Sequence, residues 1–170
     1  MRRRSALAVF AALPAILVCA RATAQQVVFV VRHAEKISDE DERLTEGGRA
    51  RAARLSEMLR HSGITAIYST DTERTLGTAK PLADALGLKV GIYEARAMNG
   101  RVDSGPLVET LHREAPRGIV LVVGHSNTVP SLLSALGCPD AVTIADGEYD
   151  NLFVVVPKEG APPVLIRLRY

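Results

Sequence analysis

Four short runs of strand-forming residues recur along the chain, Val27–Val31, Ala66–Ser69, Lys89–Tyr93 and Ile119–Val123, with longer stretches of helical periodicity between them. That alternation is the strongest constraint on the fold. Strand, helix, strand in repetition builds βαβ units, which make a largely parallel sheet with helices on both faces. Continuous runs such as Val27–Val31 and Ile119–Val123 suit strands buried on both sides. The first helix is expected from Thr45 as cap to about His61, with Leu55, Met58 and Leu59 on its buried face and Gly63 after its end. A second runs from about Thr72 to Leu86, where Pro81 is expected to kink or restart it, and Gly87 closes it. A third spans Pro106 to Glu114, and a fourth runs from Thr128 to Leu136 behind Ser126 or Asn127 as cap. Asn151–Val156 and Val164–Leu168 read as closing strands. The expected fold is α/β, a single three-layer domain with a mainly parallel central sheet flanked by helices.

Residues 1–24 have a different grammar. Arg2, Arg3 and Arg4 precede an apolar run from Ala6 to Ala20, and Ala22-Thr23-Ala24 offers small residues for cleavage, so this segment reads as a secretory signal peptide. The run is broken by Pro14 and is shorter than the roughly 20 residues that a spanning helix needs. Cys19 raises a lipoprotein alternative, which the bulky Val18 before it fits poorly. Cleavage after Ala24 would leave residues 25–170 as one domain, in the periplasm or secreted, with no stable membrane insertion. It would also remove four arginines, leaving 17 basic against 19 acidic residues and turning the formal charge from +2 to −2. A nucleic-acid partner thereby loses its electrostatic support. Cys138 would be the one remaining cysteine, which leaves no intramolecular disulfide and reads as a buried thiol near a helix end. Oligomeric state is not readable.

Parallel strands place their carboxyl ends on one edge, where open α/β sheets bind ligands. Arg32-His33 follows the first strand, Ser69 to Arg74 the second, Glu94 the third and Gly124-His125 the fourth. Two guanidinium groups and two imidazoles gathered there suit a phosphoryl group: arginine forks onto phosphate oxygens and stays charged at any working pH. A neutral imidazole is also a competent nucleophile toward phosphorus. No histidine pair stands at i, i+4, no cysteine pair is available, and arginines oppose a cation, so a metal site is not expected. His61 and His112 carry no motif and read as solvated.

These segments carry a family resemblance. Val30-Val31-Arg32-His33-Ala34-Glu35 resembles the Arg-His motif of the histidine phosphatase (phosphoglycerate-mutase-like) superfamily. Leu44-Thr45-Glu46-Gly47-Gly48 is similar to its first helix start, Tyr68-Ser69-Thr70-Asp71-Thr72-Glu73-Arg74-Thr75 to its second-arginine segment, and Val122-Val123-Gly124-His125-Ser126 to its second-histidine segment. Ala34 stands where the family usually has glycine. The resemblance implies that His33 is the nucleophile, that Arg32, Arg74 and His125 form the phosphate pocket, and that neither cofactor nor metal takes part. It also implies an acid for the leaving group beyond the third strand. Glu94 is the candidate, with Asp103, Glu148 and Asp150 as alternatives, and a solvated or Arg96-paired carboxylate as the bland reading of Glu94.

The implied enzyme is a metal-independent phosphoric monoester hydrolase acting on a small phosphomonoester or a phosphorylated envelope component. A mutase of the same superfamily, a non-catalytic phosphate-binding module and a metallohydrolase are the rival readings.

Overall fold

The computed structural model describes residues 26–95 and 102–170. The strand-forming runs become β1 (Val27–Arg32), β2 (Ile64–Ser69), β3 (Val90–Ile92) and β4 (Ile119–Gly124), and the closing strands become β5 (Asn151–Lys158) and β6 (Ala161–Arg169). All six form one sheet in the order β3-β2-β4-β1-β5-β6. The first four in that order are mutually parallel, whereas β5 and β6 run antiparallel to their neighbours. The mainly parallel α/β domain read from the sequence is therefore the one observed. The leader reading of residues 1–24, including Cys19, lies outside the described residues, as does Arg96. Among the described residues no helix is long and apolar enough to cross a membrane.

Successive strand residues point to opposite faces, so a strand covered on both sides must be apolar in both registers. Val28, Val30, Val120, Val122 and Phe153 pack under α3 (Gly105–Glu114) and α4 (Thr128–Ala135), against Leu107, Leu111, Leu132 and Leu133. On the other face, Val31, Ile67, Leu121, Val123 and Leu152 meet Leu55 and Leu59 of α1 (Glu46–Leu59) and Leu82 of α2 (Glu73–Leu86). Truncating one such residue, for example Leu55→Ala, costs about 2–5 kcal/mol through lost burial and the cavity left behind.

Two details differ from the expectation. Met58 is 46% exposed, because the buried stripe of α1 is Gly48, Ala52, Leu55, Ser56 and Leu59, and Met58 lies on its flank. Pro81 does not interrupt α2, which runs continuously from Glu73 to Leu86. One missing backbone donor is tolerated there, since Ala79, Leu82 and Ala83 are buried against the sheet.

The start of α1 ties the second motif to the first. Thr45 Oγ1 caps the helix by accepting from the Gly48 N–H at 2.9 Å, and the Thr45 N–H donates to the Glu35 carbonyl at 2.9 Å. A Cβ on Gly48 would lie 2.2 Å from that same carbonyl oxygen, so only glycine lets the helix pass so close to the strand end.

Candidate active site

β1 and β4 are paired neighbours, with Arg32 opposite Gly124, so the residues that follow, His33 and His125, emerge side by side on the carboxyl edge. The His33 N–H extends the ladder to the Gly124 carbonyl at 2.8 Å. Behind it, Thr78 Oγ1 accepts from the Ala34 N–H at 2.9 Å and donates to the Arg74 carbonyl at 2.8 Å, linking α2 to the strand end. The methyl of Ala34 is fully buried.

His33 is 4% exposed, and its Nδ1 lies 2.8 Å from the Ala34 carbonyl oxygen. A carbonyl only accepts, so Nδ1 carries the hydrogen and Nε2 keeps the lone pair. Burial is the main force pushing its pKa down to about 3, with the charges of Arg32 and Arg74 acting in the same direction. His33 is therefore a neutral imidazole near pH 7.

Arg32 is held by neutral groups. Its Nη1 donates to the carbonyls of Ala145 at 3.0 Å, Asp146 at 2.8 Å and Glu148 at 3.3 Å. The guanidinium carbon sits 4.1 Å from the centroid of the Tyr149 ring, within cation–π range. Its Nε is buried without a hydrogen-bond partner among the described residues.

His125 is half-buried and differently engaged. Its backbone N–H donates to Thr128 Oγ1 at 2.7 Å; Asn127 stands at the N-cap of α4 as expected, but its side chain makes no capping hydrogen bond. Its Nε2 lies 2.9 Å from Thr70 Oγ1, which in turn meets the buried Thr75 hydroxyl at 2.9 Å. Arg74 directs Nε and Nη2 at His125 Nδ1, at 3.4 and 3.3 Å, while its Nη1 pairs with the carboxylate of Glu42. The two imidazole centroids are 5.4 Å apart.

These four side chains line one cavity of about 1170 Å³, together with Lys36, Asp39, Thr70, Tyr93, Glu94, Asp146 and Tyr149 among others. Glu94 is exposed at its rim. The other acid candidates are placed elsewhere. Asp103 accepts the Gly105 N–H at the start of α3. Glu148 and Asp150 are ion-paired to Arg169 of β6, and neither lines the cavity. His61 and His112 are exposed and remote from it. No group of three or more potential metal ligands occurs among the described residues. Cys138 is buried just past α4, where burial raises its thiol pKa.

Sequence reasoning missed Glu42, Thr70 and Tyr149. The carboxylate partner of Arg74 comes from the β1–α1 loop, not from Asp71 or Glu73 close to it in sequence. No motif or spacing marks such a long-range contact.

A sequence model described as the histidine phosphatase superfamily (branch 1) matches residues 28–98, a span that includes Arg32, His33 and Arg74. Over residues 28–98 the chain is similar to the histidine phosphatase superfamily. A curated relative, the probable phosphoglycerate mutase GpmB of Yersinia enterocolitica, is 41% identical over 37% of this chain. The match covers 33% of that relative, so this chain spans about a third of the curated proteins it resembles. Solved structures share the fold at low identity. Phosphoserine phosphatase from Entamoeba histolytica, in complex with 3-phosphoglyceric acid, aligns with a TM-score of 0.65 at 16% identity, covering 86% of this chain and 98% of its own. A mycobacterial glucosyl-3-phosphoglycerate phosphatase complexed with VO3 gives 0.64 at 17%, covering 85% and 98%.

Proposed function

We propose that the chain is a phosphomonoesterase that works through a phosphohistidine at His33. The observation that carries this reading is the state of His33: a desolvated imidazole, neutral near pH 7, with Nδ1 locked to the Ala34 carbonyl and two guanidinium groups beside it. In the first step His33 Nε2 attacks phosphorus and the bond to the leaving oxygen breaks. Arg32, Arg74 and His125 hold the phosphoryl oxygens, where most of the stabilisation in phosphoryl transfer is delivered. Glu94 gives its proton to the departing alkoxide and then takes one from the water that cleaves the phosphorus–nitrogen bond. Alcohol and inorganic phosphate leave, and His33 and Glu94 return to their starting states.

The substrate we propose is a small phosphomonoester or a phosphorylated envelope component. It would be met outside the cytoplasm after a leader is cleaved following Ala24, and mass spectrometry of the mature amino end checks that location. The likeness to probable phosphoglycerate mutases supports a second reading, in which the phosphoryl group returns to product instead of water.

Brief incubation with a 32P-labelled phosphomonoester, followed by quenching in base, tests the central claim. Label at His33 and stoichiometric phosphate release are expected. No label would leave a binding module, and label transferred to phosphoglycerate without phosphate release would favour the mutase. Full activity in excess EDTA is expected, whereas loss restored by zinc or magnesium would favour a metallohydrolase. Glu94→Gln should slow alkyl phosphates about ten- to a hundredfold more than activated aryl phosphates, whose leaving groups need little protonation. Equal slowing would remove Glu94 from the acid role.

A further inference from the structure

The β1–α1 loop, residues 36–44, is built as a rigid turn. The Ile37 N–H donates to the Arg43 carbonyl at 2.9 Å and the Ser38 N–H to the Asp41 carbonyl at 3.1 Å. Lys36 and Leu44 pair as an antiparallel bridge. Ser38 Oγ accepts from the backbone N–H groups of Glu40 and Asp41 at 3.2 and 3.0 Å, which closes the turn locally. Leu44 anchors the base, buried with Ala34 and Ala52. This turn delivers one carboxylate, that of Glu42, onto Nη1 of Arg74.

Two cavity-lining carboxylates stand near this guanidinium, but Asp39 is itself paired with Lys36, and Asp71 makes no ion pair with Arg74. Glu42 does not line the cavity. It therefore grips Arg74 from outside the space a substrate would fill. The opposite edge of the guanidinium, Nε and Nη2, is the edge turned toward His125. That parallel N–H pair is the geometry with which arginine forks onto two phosphate oxygens. A long side chain free to rotate would reach this pose only part of the time, and each lost rotamer costs ordering free energy at binding.

We infer that Glu42 is a positioning residue for Arg74, fixing Nη1 so that the Nε–Nη2 edge is presented to the phosphoryl group beside His125. This rests on the phosphoryl-site reading above. The contact has two separable parts. As a hydrogen-bond acceptor Glu42 orients the guanidinium, and as an anion it opposes a second anion nearby. Glutamine keeps the acceptor and removes the charge, whereas alanine removes both, so with positioning as the larger effect alanine weakens anion binding and glutamine largely spares it.

The test is calorimetric binding of inorganic phosphate and orthovanadate to the full domain, in wild type, Glu42→Ala, Glu42→Gln, Arg74→Ala and the double variant Glu42→Ala/Arg74→Ala. Glu42→Ala should weaken binding about tenfold, while Glu42→Gln should stay within about threefold of wild type or bind more tightly. On the Arg74→Ala background, Glu42→Ala should add no further loss, because its only route to the ligand is gone. A purely structural role would add on that background and would not be rescued by glutamine. Should Glu42→Ala not fold, Glu42→Ser makes the same truncation at this solvent-facing loop. Binding by Glu42→Ala as tight as wild type, or an additive loss in the double variant, would overturn the assignment while leaving the phosphoryl site in place. Failure of the wild type to bind either anion would overturn both.

Discussion

His33 and His125 stand on adjacent rungs of the same sheet edge, yet they are prepared for different work. His33 is sealed at 4% exposure, and its Nδ1 faces a carbonyl that sets its tautomer. His125 is half-buried and answers to Arg74 on one nitrogen and to a threonine hydroxyl on the other. The difference begins one residue earlier. Arg32 precedes His33 and fills the space toward the 145–149 loop, whereas Gly124 precedes His125 and leaves room for Thr128 and Tyr93 to close in. Identical side chains at equivalent strand ends thus acquire distinct chemistry from what flanks them.

The largest effect that would break this comparison is on turnover. His33→Ala should lower kcat by at least about a thousandfold and abolish phosphohistidine, because it removes the proposed nucleophile. His125→Ala should lower kcat/KM by about a hundredfold yet still label His33, the outcome expected of a residue that stabilises charge without forming the covalent bond. Rapid-quench kinetics on both variants decide it. Equal loss of label would mean that the two imidazoles are not divided in role.

Gly124→Ala is a smaller perturbation of the same contrast. A Cβ there would lie 2.5 Å from Thr128 Oγ1 and 2.9 Å from the Tyr93 hydroxyl, so both must shift and the His125 N–H loses its acceptor. A destabilisation of about 1–3 kcal/mol in urea denaturation is expected. An unchanged midpoint would mean that α4 absorbs the methyl freely.

Per pH unit, the smallest effect is on stability. The folded state holds His33 at about 3 against 6.5 when unfolded, so between these values the unfolded chain binds the extra proton and stability rises with pH. As pH falls from 6.5 toward 3, wild type should lose up to about 1.4 kcal/mol per pH unit relative to His33→Ala, and above 6.5 their difference should be constant. Parallel stability curves for the two proteins from pH 7 to pH 4 would mean that His33 is not desolvated.

Much of this was legible in the residues, for identifiable reasons. Strand-end placement of Arg32, His33, Arg74 and His125 followed from local periodicity, because parallel strands align their carboxyl ends whatever their order in the sheet. The sheet order was not readable, since nothing local to β1 says that β4 and β5 will be its neighbours. The clamps on the arginines were invisible for the same reason. Ala145, Asp146 and Glu148 reach Arg32 with backbone carbonyls, which every residue owns, so no residue type announces the contact. Glu42 is one of four consecutive carboxylates, Asp39 to Glu42, and nothing local marks it as the partner of Arg74. Met58 lies beside the buried stripe of α1 and not in it, a distinction that apolar character alone does not reveal.

The carbonyl clamp on Arg32 has a consequence in time. Its three acceptors lie 113, 114 and 116 residues downstream in the chain. They sit just before β5, the strand that pairs antiparallel with β1. Closing so long a loop is slow compared with local helix formation. Until β5 docks, the partly folded chain has the arginine–histidine pair but not the carbonyls that hold the arginine in place. Arg32 is therefore clamped only once residues 145–148 have been brought back to the end of β1.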